Sequence, residues 1–337
     1  MDFSALRHHG DVDAAPGLLD FAVNVRGVGP PEWLRARLAR RLAELGRYPS
    51  AAEDLATREQ VAARHGRGPD EVLLLAGAAE GFALLARLSP SLAAVVHPSF
   101  TEPELALRAA GVPVHRVLLP EPWGLTQAVV PEQADLLVLG NPTNPTSVLH
   151  ARDVVLALRR PGRVVVVDEA FADAVPGEPE SVAGHALPDV LVLRSLTKTW
   201  ALAGLRAGYL LGPPQLLARL RHGRAHWPLG TLQLEAIRAC CEPEAVQWAH
   251  EQAEQIVAER ALMEELLAEW LAGPAAGPFL LLRVPDGDTI RERLRDRGIA
   301  VRRCDTFPGL TADHLRVAVR GSDHARRLAQ TMREVTT

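Results

Sequence analysis

Short apolar runs at 72–75, 93–96, 136–139, 163–167 and 190–193 each stop at a tight cluster of Gly, Pro, Ser, Asn or Asp. Continuous runs of this length are consistent with strands buried on both faces, as in parallel sheets. Helical patterns lie between them, at 82–88 and from Phe100 through Ala110, and a further strand candidate spans 112–118. Strands alternating with helices predict a mainly parallel α/β sheet with right-handed crossovers. Ligands in such sheets sit beyond the carboxyl ends of the strands, and the polar clusters named above all fall there. A site built from those clusters is therefore expected.

Two segments flank this core. Before it come a strand-like run at 18–25, a helix at 31–45 opened by Pro31 and stopped by Gly46, and a helix at 58–65. After it, a long amphipathic helix at 247–271 leads to strands at 279–284, 299–302 and 315–319 and helices at 289–298 and 323–335. The expected division is an N-terminal arm (1–30) packing with a small domain, a large domain (31–246), and a small α+β domain (247–337). A chain of 337 residues has room for about that many units.

A net charge of −4 and a pI near 6.3 argue against a nucleic-acid partner, which would select a basic face. No apolar run approaches the ~20 residues that span a bilayer, and 1–7 has no apolar signal core, so no membrane association is expected. Three cysteines, with Cys240 and Cys241 adjacent, make neither a disulfide framework nor a spaced metal site. A reducing, cytoplasmic setting and no metal are the expectations.

The run 190–193 delivers Ser195-Leu196-Thr197-Lys198, and Arg206 follows within Gly204-Leu205-Arg206-Ala207-Gly208. Two hydroxyls and a guanidinium around one Lys suit a phosphate ester beside an amine nucleophile. Pyridoxal phosphate (PLP) bound through a lysine Schiff base needs that arrangement. Asp168, ending an apolar strand, would be costly if buried without a partner, and a protonated pyridine nitrogen is one such partner. Small residues at Gly77-Ala78-Ala79 leave backbone N–H groups open at a helix start, where a phosphate is stabilised. Asn144 can donate to a ring oxygen and Phe100 can stack on the ring.

The ordered set Gly77-Ala78-Ala79-Glu80, Pro98-Ser99-Phe100, Asn141-Pro142-Thr143-Asn144-Pro145, Asp168-Glu169-Ala170-Phe171, Ser195-x-Thr197-Lys198, Arg206 and Leu315-Arg316-Val317 resembles the fold-type I PLP enzymes of the aspartate aminotransferase superfamily. The resemblance covers nearly the whole chain. It implies catalytic roles for Lys198 and Asp168. It implies cofactor contacts from Ala78, Ala79, Phe100, Asn144, Asp168, Ser195, Thr197, Lys198 and Arg206. Tyr48 matches the Tyr-Pro that usually reaches the phosphate from the other subunit, which implies a homodimer with shared active sites.

Within that superfamily the chain is similar to the branch of histidinol-phosphate aminotransferases and threonine-phosphate decarboxylases, and among these to the actinobacterial CobC-like aminotransferases. His9-Gly10, Leu19-Asp20-Phe21-Ala22-Val23-Asn24 and Val301-Arg302-Arg303-Cys304 with Phe307-Pro308-Gly309-Leu310 resemble decarboxylase segments. That resemblance makes His9, Gly10, Asn24 and Arg302 candidates for binding a phosphorylated amino acid or amine, with His9 and Arg302 on the substrate's phosphate and Arg316 on its carboxylate. The departures, Arg26-Gly27, Trp227-Pro228-Leu229-Gly230 and Phe171, surround the substrate, not the cofactor.

PLP chemistry is selected by which bond at the substrate's α-carbon stands perpendicular to the ring. The first expectation is decarboxylation of L-threonine O-3-phosphate to aminopropanol phosphate, as in cobalamin synthesis. The alternative is transamination of histidinol phosphate or another amino acid. A third is a PLP-binding regulatory module without turnover.

Overall fold

The computed structural model describes residues 5–336. Residues 1–4, where the expected arm begins, lie outside the described residues. Seven strands, β1 (Val72–Leu75), β2 (Ala93–His97), β3 (Val114–Leu118), β4 (Leu136–Gly140), β5 (Val164–Asp168), β6 (Val190–Ser195) and β7 (Gly208–Leu211), form one sheet in the order β1-β7-β6-β5-β4-β2-β3. β7 pairs antiparallel with both neighbours, and every other pairing is parallel. β1, β2, β6 and β7 are buried along their whole length, mostly apolar but with His97, Arg194 and Ser195 buried at the ends of β2 and β6, whereas the edge strand β3 exposes His115 and Arg116. Helices cover both faces, with separate apolar clusters on each. This is the expected fold-type I α/β architecture.

The helices used below are α1 (Glu32–Arg41), α2 (Ala51–His65), α3 (Ala78–Leu84), α4 (Glu102–Ala109), α5 (Pro243–Leu266), α6 (Gly287–Asp296) and α7 (Ser322–Thr336). A second sheet of β8 (Phe279–Arg283), β9 (Arg302–Arg303) and β10 (His314–Ala318) is antiparallel in the order β9-β10-β8. Met263 of α5, Leu294 of α6 and Leu328 and Met332 of α7 pack beneath it with Leu280, Leu282 and Val317.

Several boundaries differ from the sequence reading, each for a local reason. The strand expected at 18–25 is reduced to Leu19–Asp20, because the Asp20 carboxylate accepts from the backbone N–H groups of Ala22 and Val23 and turns the chain. The strand expected at 299–302 divides. Ile299–Ala300 pairs in parallel with Leu19–Asp20, and β9 pairs with β10. α2 begins seven residues before the expected 58, at a capping box in which Ser50 and Glu53 satisfy each other's backbone N–H groups. α3 begins at Ala78, ahead of the expected 82, since Gly77 takes φ 83° and turns the chain directly into the helix. α5 starts earlier than expected, with Pro243 in its first turn, and ends at Leu266; it runs unbroken past residue 247.

Candidate active site

The carboxyl ends of β1, β2, β4, β5 and β6 converge on a cavity of about 500 Å³, closed on its other sides by the N-terminal segment and the second sheet. Lys198 lines it, with Asp168, Asn144, Phe100, Ala78, Ala79, Ser195, Thr197 and Arg206. Asn24, His9, Gly10, Arg302 and Arg316 also line it. Tyr48 does not: it is 72% exposed on the surface and stacks on Trp227 with ring centroids 4.2 Å apart.

Burial sets the electrostatics. Desolvation, reinforced by the Arg316 and Arg206 guanidinium groups, lowers the Lys198 amine to about 8. Desolvation raises the Asp168 carboxyl to about 7, against the opposing effects of the Ala170 N–H and Lys198. Ser195 Oγ and Thr197 Oγ1 lie 2.8 Å apart, both buried. Arg206 adopts φ 59° and lies against Gly77, where an added Cβ would stand 2.8 Å from Arg206 Nη2. Gly77 therefore provides both the left-handed turn and the space for the guanidinium.

On the other wall, Arg316 Nη1 donates to Asn144 Oδ1 at 2.5 Å, Nη2 donates to the Ala22 carbonyl, and Nε is buried without a partner. Desolvation, then the facing Arg302, pulls the Arg316 guanidinium down to about 9. Both amide atoms of Asn24 are buried and unpartnered. Arg302, by contrast, is engaged. Its Nη2 donates to the His8 carbonyl (2.7 Å) and Thr306 Oγ1 (2.9 Å), and its Nη1 donates to the Arg303 carbonyl and faces Asp13. Gly10 packs so closely that a Cβ would stand 2.4 Å from the Ala22 carbonyl oxygen. His9 Nε2 lies 2.7 Å from Glu102 Oε1, with its ring tilted against Phe100 at 5.5 Å.

Glu102 and Asp11 line the cavity and were not singled out from the sequence. Glu102 lies two residues after Phe100, but it sits in the first turn of α4 after Thr101, where a carboxylate already suits the helix dipole. That ordinary explanation hides it. Phe307 also lines the cavity, with the Arg302 guanidinium 4.9 Å above its ring.

The family model described as Aminotransferase class I and II matches residues 17–331. The chain belongs to that family. A histidinol-phosphate aminotransferase of Mycobacterium tuberculosis (strain ATCC 25618 / H37Rv) is 61% identical over 321 residues, covering 94% of this chain and 88% of that protein. The threonine-phosphate decarboxylase of Salmonella typhimurium is 33% identical over 341 residues, covering 95% and 92%. Among solved structures, the histidinol-phosphate aminotransferase from Clostridium acetobutylicum superposes with a TM-score of 0.86 at 21% identity, over 95% of this chain and 99% of that one.

The expectation that decarboxylation of threonine phosphate is the main activity is overturned by this comparison. The relative at 61% identity carries the aminotransferase name, and the decarboxylase lies much further away at 33%. The cobalamin placement falls with it. Class I and II aminotransferases are PLP enzymes, and the cavity fits the cofactor. A carboxylate raised by burial awaits a cationic partner at Asp168, two buried hydroxyls and Arg206 cluster beside the amine, and an Asn144 amide has its oxygen already engaged by Arg316.

Proposed function

We propose that this chain transfers the amino group of histidinol phosphate to a keto acid. One observation carries the choice of substrate: the 61% identity, over 94% of the chain, to a relative named for that reaction. The cavity supports it. Its lining cations are Lys198, Arg206, Arg302 and Arg316, of which Arg302 is already engaged by the arm's His8 carbonyl and Asp13, while Asp168, Glu102 and Asp11 line it as acids. Histidinol phosphate carries one anion and an imidazole, so it suits such a divided cavity better than a substrate bearing both phosphate and carboxylate.

When bound, PLP supplies an aldehyde that accepts the amino group and a ring that withdraws electrons from the substrate's α-carbon. In this reading Ala78 and Ala79 N–H groups, Ser195, Thr197 and Arg206 hold the cofactor phosphate. The Asp168 carboxylate would hold the cofactor's ring nitrogen in its protonated form. Asn144 Nδ2 would donate to the cofactor, and Phe100 would pack against it. Lys198 Nζ, lowered toward neutral pH, would take the proton from the substrate's α-carbon and hold it for return. Arg316 Nε and the unpartnered Asn24 amide receive the substrate's phosphate, and burial excludes the water that would compete.

The division into arm (1–30), large domain (31–246) and small domain (247–337) belongs to the same reading, with α5 as the rigid connection. So does a homodimer in which the partner subunit's Tyr48 completes the phosphate site. Leu42, Leu45 and Trp227, each more than half exposed, support an apolar contact surface beside Tyr48. Three buried free cysteines support a reducing, cytoplasmic setting, and among the described residues no helix is long and apolar enough to cross a membrane.

The test is turnover by purified, cofactor-loaded protein given L-histidinol phosphate and 2-oxoglutarate, with glutamate measured as product. Catalytic glutamate formation is expected. Carbon dioxide release from L-threonine O-3-phosphate without keto acid, and no glutamate, would overturn the reading.

A further inference from the structure

An imidazole already sits in the cavity, and it belongs to the protein. His9 Nε2 meets Glu102 Oε1 at 2.7 Å while its ring tilts against Phe100 at 5.5 Å. The carboxylate is partly accessible, with a quarter of its side chain exposed, and both residues line the same cavity as Lys198. The neighbouring backbone fixes where this imidazole points. Gly10 is packed on the Ala22 carbonyl beside Arg316, so the arm turns at Arg316 and sends His9 toward Glu102.

We propose that Glu102 is the specificity residue of this site: its carboxylate receives the imidazole N–H of the substrate, which takes the place held by His9. This rests on the reading of histidinol phosphate as substrate and deepens it. A substrate held by its phosphate at Arg316 and by its amine at the cofactor end beside Lys198 has only its imidazole left to recognise. Glu102 presents an anionic acceptor that an imidazole N–H satisfies and that a phenyl or methyl group leaves unpaired. A carboxylate is also the acceptor that holds the ring when it is protonated. Recognition by a buried polar partner discriminates more strongly than apolar contact, because an analogue without the N–H leaves the carboxylate desolvated and unpaired. His9 then acts as a tethered competitor that keeps Glu102 paired until substrate arrives. Of the other carboxylates lining the cavity, Asp168 is assigned to the cofactor and Asp11 lies on the arm itself.

The experiment compares L-histidinol phosphate with L-phenylalaninol phosphate, its counterpart with phenyl in place of imidazole, on wild type, Glu102→Gln, His9→Ala and the double variant. Steady-state kinetics and calorimetric binding to the cofactor-free protein are both measured. Glu102→Gln is expected to raise KM and Kd for histidinol phosphate by ~10-fold or more, and to change those for phenylalaninol phosphate by less than ~3-fold. His9→Ala is expected to tighten histidinol phosphate, and the Glu102→Gln penalty is expected to persist in the double variant. If Glu102 merely anchors the arm, the two single variants weaken both ligands alike and the double variant is no worse than either; that result overturns the proposal and leaves the aminotransferase reading standing. Failure of the wild type to turn over histidinol phosphate overturns both.

Discussion

Arg316 and Asn144, 172 residues apart, are joined by a 2.5 Å hydrogen bond from Nη1 to Oδ1. The bond sets the amide's orientation: with its oxygen taken, only the NH₂ group remains to face the cavity. One arginine therefore orients a cofactor-side donor with one nitrogen and keeps another, Nε, unpartnered for substrate.

The two roles separate on mutation. Arg316→Met is expected to raise KM for histidinol phosphate by ~100-fold. Asn144→Ala is expected to lower kcat and shift the cofactor's absorbance maximum while KM moves by less than ~3-fold. Kinetics and absorbance spectra of the two variants check this. An equal KM rise in both would mean that Asn144 only props the guanidinium.

Gly77→Ala tests the phosphate end. The backbone φ of 83° and the 2.8 Å approach of Arg206 leave no room for a methyl group. The variant is expected to lose ~1–3 kcal/mol of stability and to bind PLP at least ~10-fold more weakly, because Arg206 must withdraw. Denaturant melts and fluorescence titration with PLP measure the two effects separately.

Asp168 and Lys198 give the cofactor-free protein an unusual pH profile. Asp168 titrates near 7 when folded and near 3.8 when unfolded, so the folded state holds the extra proton between those values and stability falls as pH rises through that window. Lys198 titrates near 8 folded and 10.5 unfolded, so the unfolded state holds the extra proton and stability rises again from pH 8 upward. Asp168→Asn is expected to match wild type near pH 4 and to exceed it by about 2 kcal/mol at pH 7.5, allowing for screening by water in the cavity. Urea melts of both apoproteins across that range measure it. A constant difference at all pH values would sink the assignment.

Subunit sharing makes a sharper test than oligomeric state alone. Lys198→Ala and Tyr48→Ala are each expected to lose more than ~90% of activity, the first through loss of the proton-transferring amine. Mixed and refolded together, they form heterodimers in which one of the two sites has both Lys198 and the partner subunit's Tyr48 intact. Activity of the mixture is expected to exceed that of either parent several-fold. An inactive mixture of confirmed heterodimers would place Tyr48 outside the site.

The features legible in the sequence were those concentrated at strand ends, where a turn, a small residue and a polar group occur within a few positions. Lys198, Asp168, Asn144 and Arg206 belong to that class. What escaped was set by partners distant in the chain. Glu102 looks like an ordinary first-turn carboxylate until the arm brings His9 to it from 93 residues away. Arg302 looks like a free phosphate ligand until the arm's His8 carbonyl and Asp13 occupy it. β7 was hidden because Gly208 and Tyr209 fall inside a motif read for its arginine. The run at 18–25 has the apolar content of a strand, but Asp20 offers the backbone a competing set of hydrogen bonds.

The pairing of Leu19–Asp20 with Ile299–Ala300 joins the arm to a strand about 280 residues further along the chain. During synthesis the arm emerges long before its partner strand. A nascent chain can complete the seven-stranded sheet, with Lys198 and Asp168 already in register, yet still lack the wall that carries Arg316. Competence to hold substrate is thus a property of the finished chain. A fusion or truncation that disturbs residues near either end of the pairing would spare the sheet and spoil the cavity.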